Sequence, residues 1–367
     1  MFEVFEKRAK PLCFLPSGRL VVNKGGKLLI FEGKRIQETH AVLKSAKETI
    51  LSHSRWAVRL LRLGIRQAIA LDEDHLLLSI QNGLYEYCLS EKKLSDGFIA
   101  GDRIRPLYFT EIKNVEGFDD GLVWGGYLMN MDKGPVHIYR RTDVDKWSVV
   151  YTFKQGAINH IHNIIADPYR NCLWVFTGDF GEAAAIWKIT DNFKKVEKVA
   201  GNDQRYRACV AFALPEGLLY ATDNPYFDNY IYMIRDFSTM EREEVAPLNG
   251  SCIYGCKWGD HYVFSSTVEG DNYENMTLFD TLFRHPLGAG IKDNFTHLYI
   301  GNLQEGFQDV FKREKDFLSY YFQFAAFMFP TGNNNSDSLY FYPMATKKND
   351  LDLLKFTKCK PMPTSNH

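Results

Sequence analysis

One unit recurs along this chain: a short apolar run, a polar turn, and a second short apolar run. It runs from Leu20-Val21-Val22 to Lys27–Phe31, from Leu76–Ile80 to Gly83–Tyr87, and from Gly121–Trp124 to Val136–Tyr139. It returns from Cys172–Phe176 to Ala185–Ile189, and from Leu218–Ala221 to Tyr230–Ile234. The last copies run from His261–Phe264 to His297–Ile300 and from Leu339–Tyr342 to Leu351–Phe356. Most copies have a further run before them, such as Ile65–Ala70 or Ala208–Ala213, and one behind, such as Lys194–Val199. Four strands per unit at a period of roughly 40 to 50 residues is the spacing of propeller blades. Residues alternating at the strand period, with turn residues at each junction, argue against helices.

The expectation is therefore an all-β chain: a seven-bladed β-propeller of four-stranded antiparallel blades, with six blades as the alternative count. Residues 1–357 would form one propeller domain, with 358–367 a frayed tail. Met1–Phe5 is placed as the fourth strand of the last blade, where it would close the ring and cover an open edge. Two stretches depart from the repeat. Thr39–Arg62 is charged with helix-like apolar spacing, and reads as an excursion between the first two blades. Residues 268–296 form a long insertion in blade six that carries Asp271, Tyr273, Glu274, Arg284 and His285. A loop of that length in a compact repeat is usually functional or disordered.

Composition removes several functions. The formal net charge of -1 carries no bulk signature of nucleic-acid binding. No apolar run approaches the roughly 18 residues of a membrane helix. The first residues, Met1–Arg8, mix acids and bases where an export signal needs an apolar core. Seven cysteines without a C-x-x-C pair suit reduced thiols, so the expected location is cytoplasmic. A P-loop, a G-x-S-x-G elbow and an H-E-x-x-H helix are all missing.

In a four-stranded blade, the start of the innermost strand and the turn between the second and third strands lie on one face of the disc. That geometry gathers distant residues at one channel mouth. Inner-strand starts bring Arg66, Arg103 and Arg105, Asn159, His160 and His162, Arg205 and Arg207, Tyr254, and Gln323. Turns on the same face bring Tyr127, Asn130, Thr177, Asp179, Asp223, Asn224 and Tyr226. Arg66, Arg105, Arg205 and Arg207 could clamp a carboxylate, sulfate or phosphate, since converging guanidinium forks repel one another until an anion neutralises them. Salt bridges to Asp72, Asp102 or Asp203 are the plainer alternative. His160 and His162, two apart on a strand, face the same side. They suit a divalent metal completed by another ligand, acid-base work near neutral pH, or hydrogen-bonded packing between blades. Asp179, in a Thr-Gly-Asp turn, could orient a histidine or hold a sugar hydroxyl. Asn224 and Tyr226 offer a polar turn with an aromatic platform, and Trp124, Trp174, Trp187 and Trp258 read as core.

Taken together, His160-Ile161-His162, Asp167-Pro168-Tyr169, Leu173-Trp174-Val175 and Thr177-Gly178-Asp179 resemble a segment of bacterial sialidase-like (BNR-type) propellers. The match covers blade four, and the S-x-D-x-G-x-T-W Asp-box of sialidases is absent from every blade. The resemblance implies glycan ligands, often acidic. The functional expectation is then a propeller that binds an acidic saccharide or glycan at its channel mouth through Arg66, Arg105, Arg205, Arg207, Asn159, Asn224, Tyr226 and Tyr254. As an enzyme it would be a carbohydrate lyase or glycoside hydrolase, with His160 or His162 as acid-base and arginines neutralising the substrate carboxylate. No cofactor is firmly implied, although His160 and His162 leave a divalent metal open. The rival class is a non-catalytic scaffold that binds a protein partner.

Overall fold

The computed structural model of the chain describes residues 1–42, 50–101, 103–179, 181–270, 277, 286–320 and 322–358. Among these residues twenty-eight strands form seven four-stranded antiparallel sheets. Blade one holds β2 (Lys10–Phe14), β3 (Leu20–Lys24), β4 (Lys27–Glu32) and β5 (Arg35–Ala41). Blade two holds β6 (Ile65–Ala70), β7 (His75–Ile80), β8 (Gly83–Cys88) and β9 (Lys93–Leu94). Blade three holds β10 (Thr110–Ile112), β11 (Gly121–Gly125), β12 (Val136–Asp143) and β13 (Lys146–Phe153). Blade four holds β14 (His160–Asp167), β15 (Cys172–Gly178), β16 (Ala185–Thr190) and β17 (Lys195–Gly201). Blade five holds β18 (Ala208–Leu214), β19 (Gly217–Thr222), β20 (Asn229–Ile234) and β21 (Arg242–Leu248). Blade six holds β22 (Cys252–Trp258), β23 (His261–Ser266), β24 (Phe295–Asn302) and β25 (Gly306–Glu314). Blade seven holds β26 (Ala326–Met328), β27 (Ser338–Met344), β28 (Leu353–Thr357) and β1 (Phe2–Glu6).

The second strands read as unbroken apolar runs because both of their faces are buried. In β15, Leu173 and Val175 pack toward blade three while Trp174 and Phe176 pack toward blade five. In β19, Leu218 and Tyr220 face blade four while Leu219 and Ala221 face blade six. The period-2 alternation of a strand thus feeds two inter-blade cores at once. Each fully buried leucine or phenylalanine contributes about 1.5–3 kcal/mol. The ring closes as expected, with Phe2 opposite Phe356 and Val4 opposite Leu354. Phe2 stacks at 4.4 Å on both Phe311 and Phe356, which ties blade six, blade seven and the first strand together.

The excursion between the first two blades starts later than its charge pattern suggests. Thr39 to Ala41 complete β5, opposite Lys27 to Leu29. Beyond it, helix α1 (Arg55–Leu61) is capped by Ser54, whose Oγ accepts from the Ala57 N–H. Arg55 and Arg59 of this helix reach across to blade seven, where both bind Asp350. Within the blade-six insertion, Val268 bridges to Ala325 and Gly270 to Leu287. Asp271, Tyr273, Glu274, Arg284 and His285 lie outside the described residues, as does Asp102 and, beyond Lys358, the tail.

Candidate functional site

The inner strands share a local irregularity that the repeat pattern does not announce. In β6, Ile65 pairs with Ile80 and Gln67 with Ser79, so Arg66 is an extra, unpaired residue. The same bulge isolates Leu12 in β2, His162 in β14, Cys209 in β18 and Ile253 in β22. A bulge kinks the strand and re-aims side chains at its end. Here it falls in the first residues of five inner strands, which are the ones that border the channel mouth.

A cavity of about 280 Å³ opens there, lined by Lys10, Arg62, Arg66, Arg105, Tyr127, Tyr254 and Gln323 among others. Its basic residues come from blade one, the α1 excursion, blade two and the approach to blade three, and among the described residues no carboxylate lines it. Lys10 donates its Nζ–H groups to the carbonyls of Ile65 (3.0 Å) and Arg66 (2.7 Å). Burial, reinforced by the Arg66 charge, pulls the Lys10 ammonium down to about 7. Burial, then the charges of Arg105 and Arg62, pull Arg66 down to about 10. The Arg66 Nε is buried without a hydrogen-bond partner. Arg105 lies 5.8 Å from the Tyr127 ring centre. Burial pushes the Tyr254 phenol up to about 12.

Tyr127 also borders a second group. Its ring centre is 4.5 Å from that of His160 and 6.2 Å from that of His162. The His160 and His162 Nε2 atoms are 3.0 Å apart, and each is 3.3 Å from Asp179 Oδ1. Gly178 leaves room for this approach, since a Cβ there would fall 2.3 Å from the His162 ring. Arg207 joins Asp179 (3.2 Å) to Asp223 (3.4 Å). Burial would raise Asp179, but the adjoining His160 and His162 rings and the charge of Arg207 outweigh it and hold the carboxyl well below its ordinary range. Burial would likewise lower Arg207, but Asp223 and Asp179 hold it above its ordinary value. Burial lowers His162, and it raises the Cys209 thiol, which is also pushed up by Asp223. Burial, with Asp223 nearby, lifts Glu269 to about 7. The ligand-type atoms of His160, His162 and Asp179 lie within 4.8 Å of one another, as do those of His162, Cys209 and Asp223.

The mouth therefore gathers most of the residues expected there, but in two groups. Arg66, Arg105 and Tyr254 line the cavity, while His160, His162, Asp179 and Arg207 form the neighbouring cluster. Asn159 braces that cluster: its Oδ1 accepts from the Asp179 N–H and its Nδ2 donates to the Asn130 carbonyl. Arg205 does not join either group. It sits in the short helical turn Gln204–Tyr206, half exposed, and pairs with Asp203 at 3.0 Å. Asn224 is buried, with its Oδ1 accepting from the N–H groups of Tyr226 and Phe227. It shapes the turn instead of facing the cavity, and Tyr226 also lies outside the lining. Lys10 and Arg62 were missed in the sequence. The signal for Lys10 was its place at the start of an inner strand, one blade before Arg66.

Solved structures with similar backbones are propellers. The CNH domain of AfRom2 matches with a TM-score of 0.52 and 8% identity over 98% of each chain. The β-propeller domain of Myceliophteria thermophila Cps50 (Swd1) matches at 0.51 and 9% identity, over 95% of this chain and 96% of that one. BBS1N, solved in complex with ARL6DN, matches at 0.50 and 10% identity over 98% and 96%. The chain is a seven-bladed β-propeller. At these identities the likeness is one of fold alone. No family model matches the chain, and no curated protein matches its sequence. The sialidase-like resemblance of blade four therefore has no support beyond the propeller architecture. Among the described residues no helix is long and apolar enough to cross a membrane.

Proposed function

We propose that the channel mouth binds a small anionic ligand bearing a carboxylate or phosphate, with acidic sugars the favoured class. The observation that carries this reading is a cavity lined by Lys10, Arg62, Arg66 and Arg105 and, among the described residues, by no carboxylate. Buried like charges are costly, and the depressed Lys10 and Arg66 are the mark of that cost. An anion would relieve it and give the Arg66 Nε a partner. Tyr127, Tyr254 and Gln323 supply a ring face and polar groups of the kind that orient a hydroxylated ligand. Turnover of a bound sugar by elimination or hydrolysis would fall to the adjoining cluster of His160, His162 and Asp179.

Calorimetric titration of the full chain with glucuronate, a hexose phosphate and neutral glucose tests the reading. Binding of the two anionic sugars, lost in Arg66→Met/Arg105→Met, is expected. Equal binding of all three, or none, overturns it.

A second reading, docking of a protein on the same face, is favoured by side chains exposed in the turns between second and third strands. Met129 and Met131 are 92% and 74% exposed, and Phe227 is 59% exposed. Proximity labelling with the native chain and with Met129→Ser/Met131→Ser/Phe227→Ser compares partner recovery, and identical recovery overturns this reading.

A further inference from the structure

The cluster beside the cavity poses an electrostatic problem of its own. His160 Nδ1 lies 2.9 Å from the Leu128 carbonyl oxygen, and His162 Nδ1 lies 3.2 Å from that of Ala208. A carbonyl oxygen only accepts, so each Nδ1 carries the proton. In a neutral imidazole the other nitrogen, Nε2, then presents a lone pair. Both Nε2 atoms point at each other across 3.0 Å and at Asp179 Oδ1 across 3.3 Å. Three acceptors converge at one point, on imidazoles that are 4% and 2% exposed. Such a set repels itself unless positive charge sits between the three atoms.

The spacing fits a metal ion. Ligand bonds of about 2.0–2.1 Å in a tetrahedron place neighbouring donor atoms about 3.3–3.4 Å apart. The observed triangle, with edges of 3.0, 3.3 and 3.3 Å, is close to one face of that tetrahedron. The backbone carbonyls on both Nδ1–H groups fix the tautomer and the ring planes, as outer partners of metal-binding histidines do. The Asn159 side chain holds the Asp179 backbone N–H at 3.2 Å, and Arg207 holds the carboxylate from the side at 3.2 Å. The bulge at His162 and the bare Gly178 allow the two rings to meet.

We propose that His160 Nε2, His162 Nε2 and Asp179 Oδ1 bind one divalent first-row transition ion of the zinc class, leaving a fourth position for water or a ligand atom. The two-nitrogen, one-oxygen donor set suits zinc better than calcium or magnesium, which favour all-oxygen sites. This site does not depend on the anion-binding reading of the cavity.

Chelator-stripped full-length chain titrated with Co²⁺ under visible spectroscopy tests it. One equivalent should bind with the intense bands of a four-coordinate site, be displaced by Zn²⁺, and raise the unfolding temperature. His162→Ala and Asp179→Asn should each weaken binding more than about 10-fold. His160→Gln supplies a third variant should either misfold, and Arg66→Met should leave metal binding unchanged while anion binding weakens. Absence of Co²⁺ and Zn²⁺ binding by folded native chain overturns the proposal and assigns the positive charge to an imidazolium proton. Native-like affinity in folded ligand variants also overturns it.

Discussion

Arg59 and Arg66 line the same cavity, and the protein treats their charges in opposite ways. The Arg59 side chain is fully buried, and its Nη1 lies 2.9 Å from Asp316 and 2.9 Å from Asp350. Its remaining nitrogens lack partners, but its charge is met by two carboxylates, which it shares with Arg55 and Lys315. Asp350 in turn accepts the Ala345 N–H, which fixes the turn between β27 and β28. The result is a clamp that fastens helix α1 to blade seven. Arg66 faces Lys10, Arg62 and Arg105 instead, and makes no ion pair among the described residues. The contrast teaches that a buried cation matched by acids belongs to the scaffold. One surrounded by like charge marks where an anion from outside completes the balance.

Four experiments break or sharpen that contrast. The largest effect should come from Arg59→Ala, which removes the buried cation that joins Asp316 to Asp350. Chemical denaturation should show a loss of about 3–5 kcal/mol, and a loss below about 1 kcal/mol would remove the clamp from the scaffold. Next is Arg66→Met. Anion affinity in the same calorimetric titration should fall about 10- to 100-fold, while ligand-free stability holds or rises because a repulsive charge is gone. A drop in ligand-free stability would place Arg66 with Arg59.

The third experiment is pH dependence. Lys10 is held near 7 in the folded chain against an ordinary 10.5. Between those values the unfolded chain binds more protons, so stability should rise with pH through this window. The rise should be absent in Lys10→Met, and parallel curves for the two proteins would refute it. Anion binding should also push Lys10 back up, so proton uptake near neutral pH should appear as a buffer-dependent enthalpy. The smallest effect belongs to Arg205→Ala, because Arg205 is half exposed and its partner Asp203 keeps Arg242. Stability should move by no more than about 0.5 kcal/mol, and anion affinity should not change.

Much of this was legible from local pattern. The double-sided apolar runs of β15 and β19 announced strands buried on both faces, and seven copies announced the ring. The place of a residue within its repeat was enough to put Arg66, Arg105, His160, His162 and Tyr254 at one mouth. Other features had no local mark. Arg205 and Arg207 are two apart and would share a face on a strand, but Asp203 caps a short turn there and separates them. The bulges at Arg66 and His162 depend on how each inner strand registers against its neighbour, and neither has a Gly or Pro to announce it.

The sequence by itself determined the blades, their order and the end of the channel at which Arg66, Arg105, His160, His162 and Tyr254 emerge. Those follow from periodicity, which is a property of neighbouring residues. Only the tertiary structure decided which charges are matched. Lys10 meets Arg66, Arg59 meets Asp316 and Asp350, and His162 meets Asp179 across blades and loops. Coulombic pairing depends on distance and burial, and both are set only when the ring has closed.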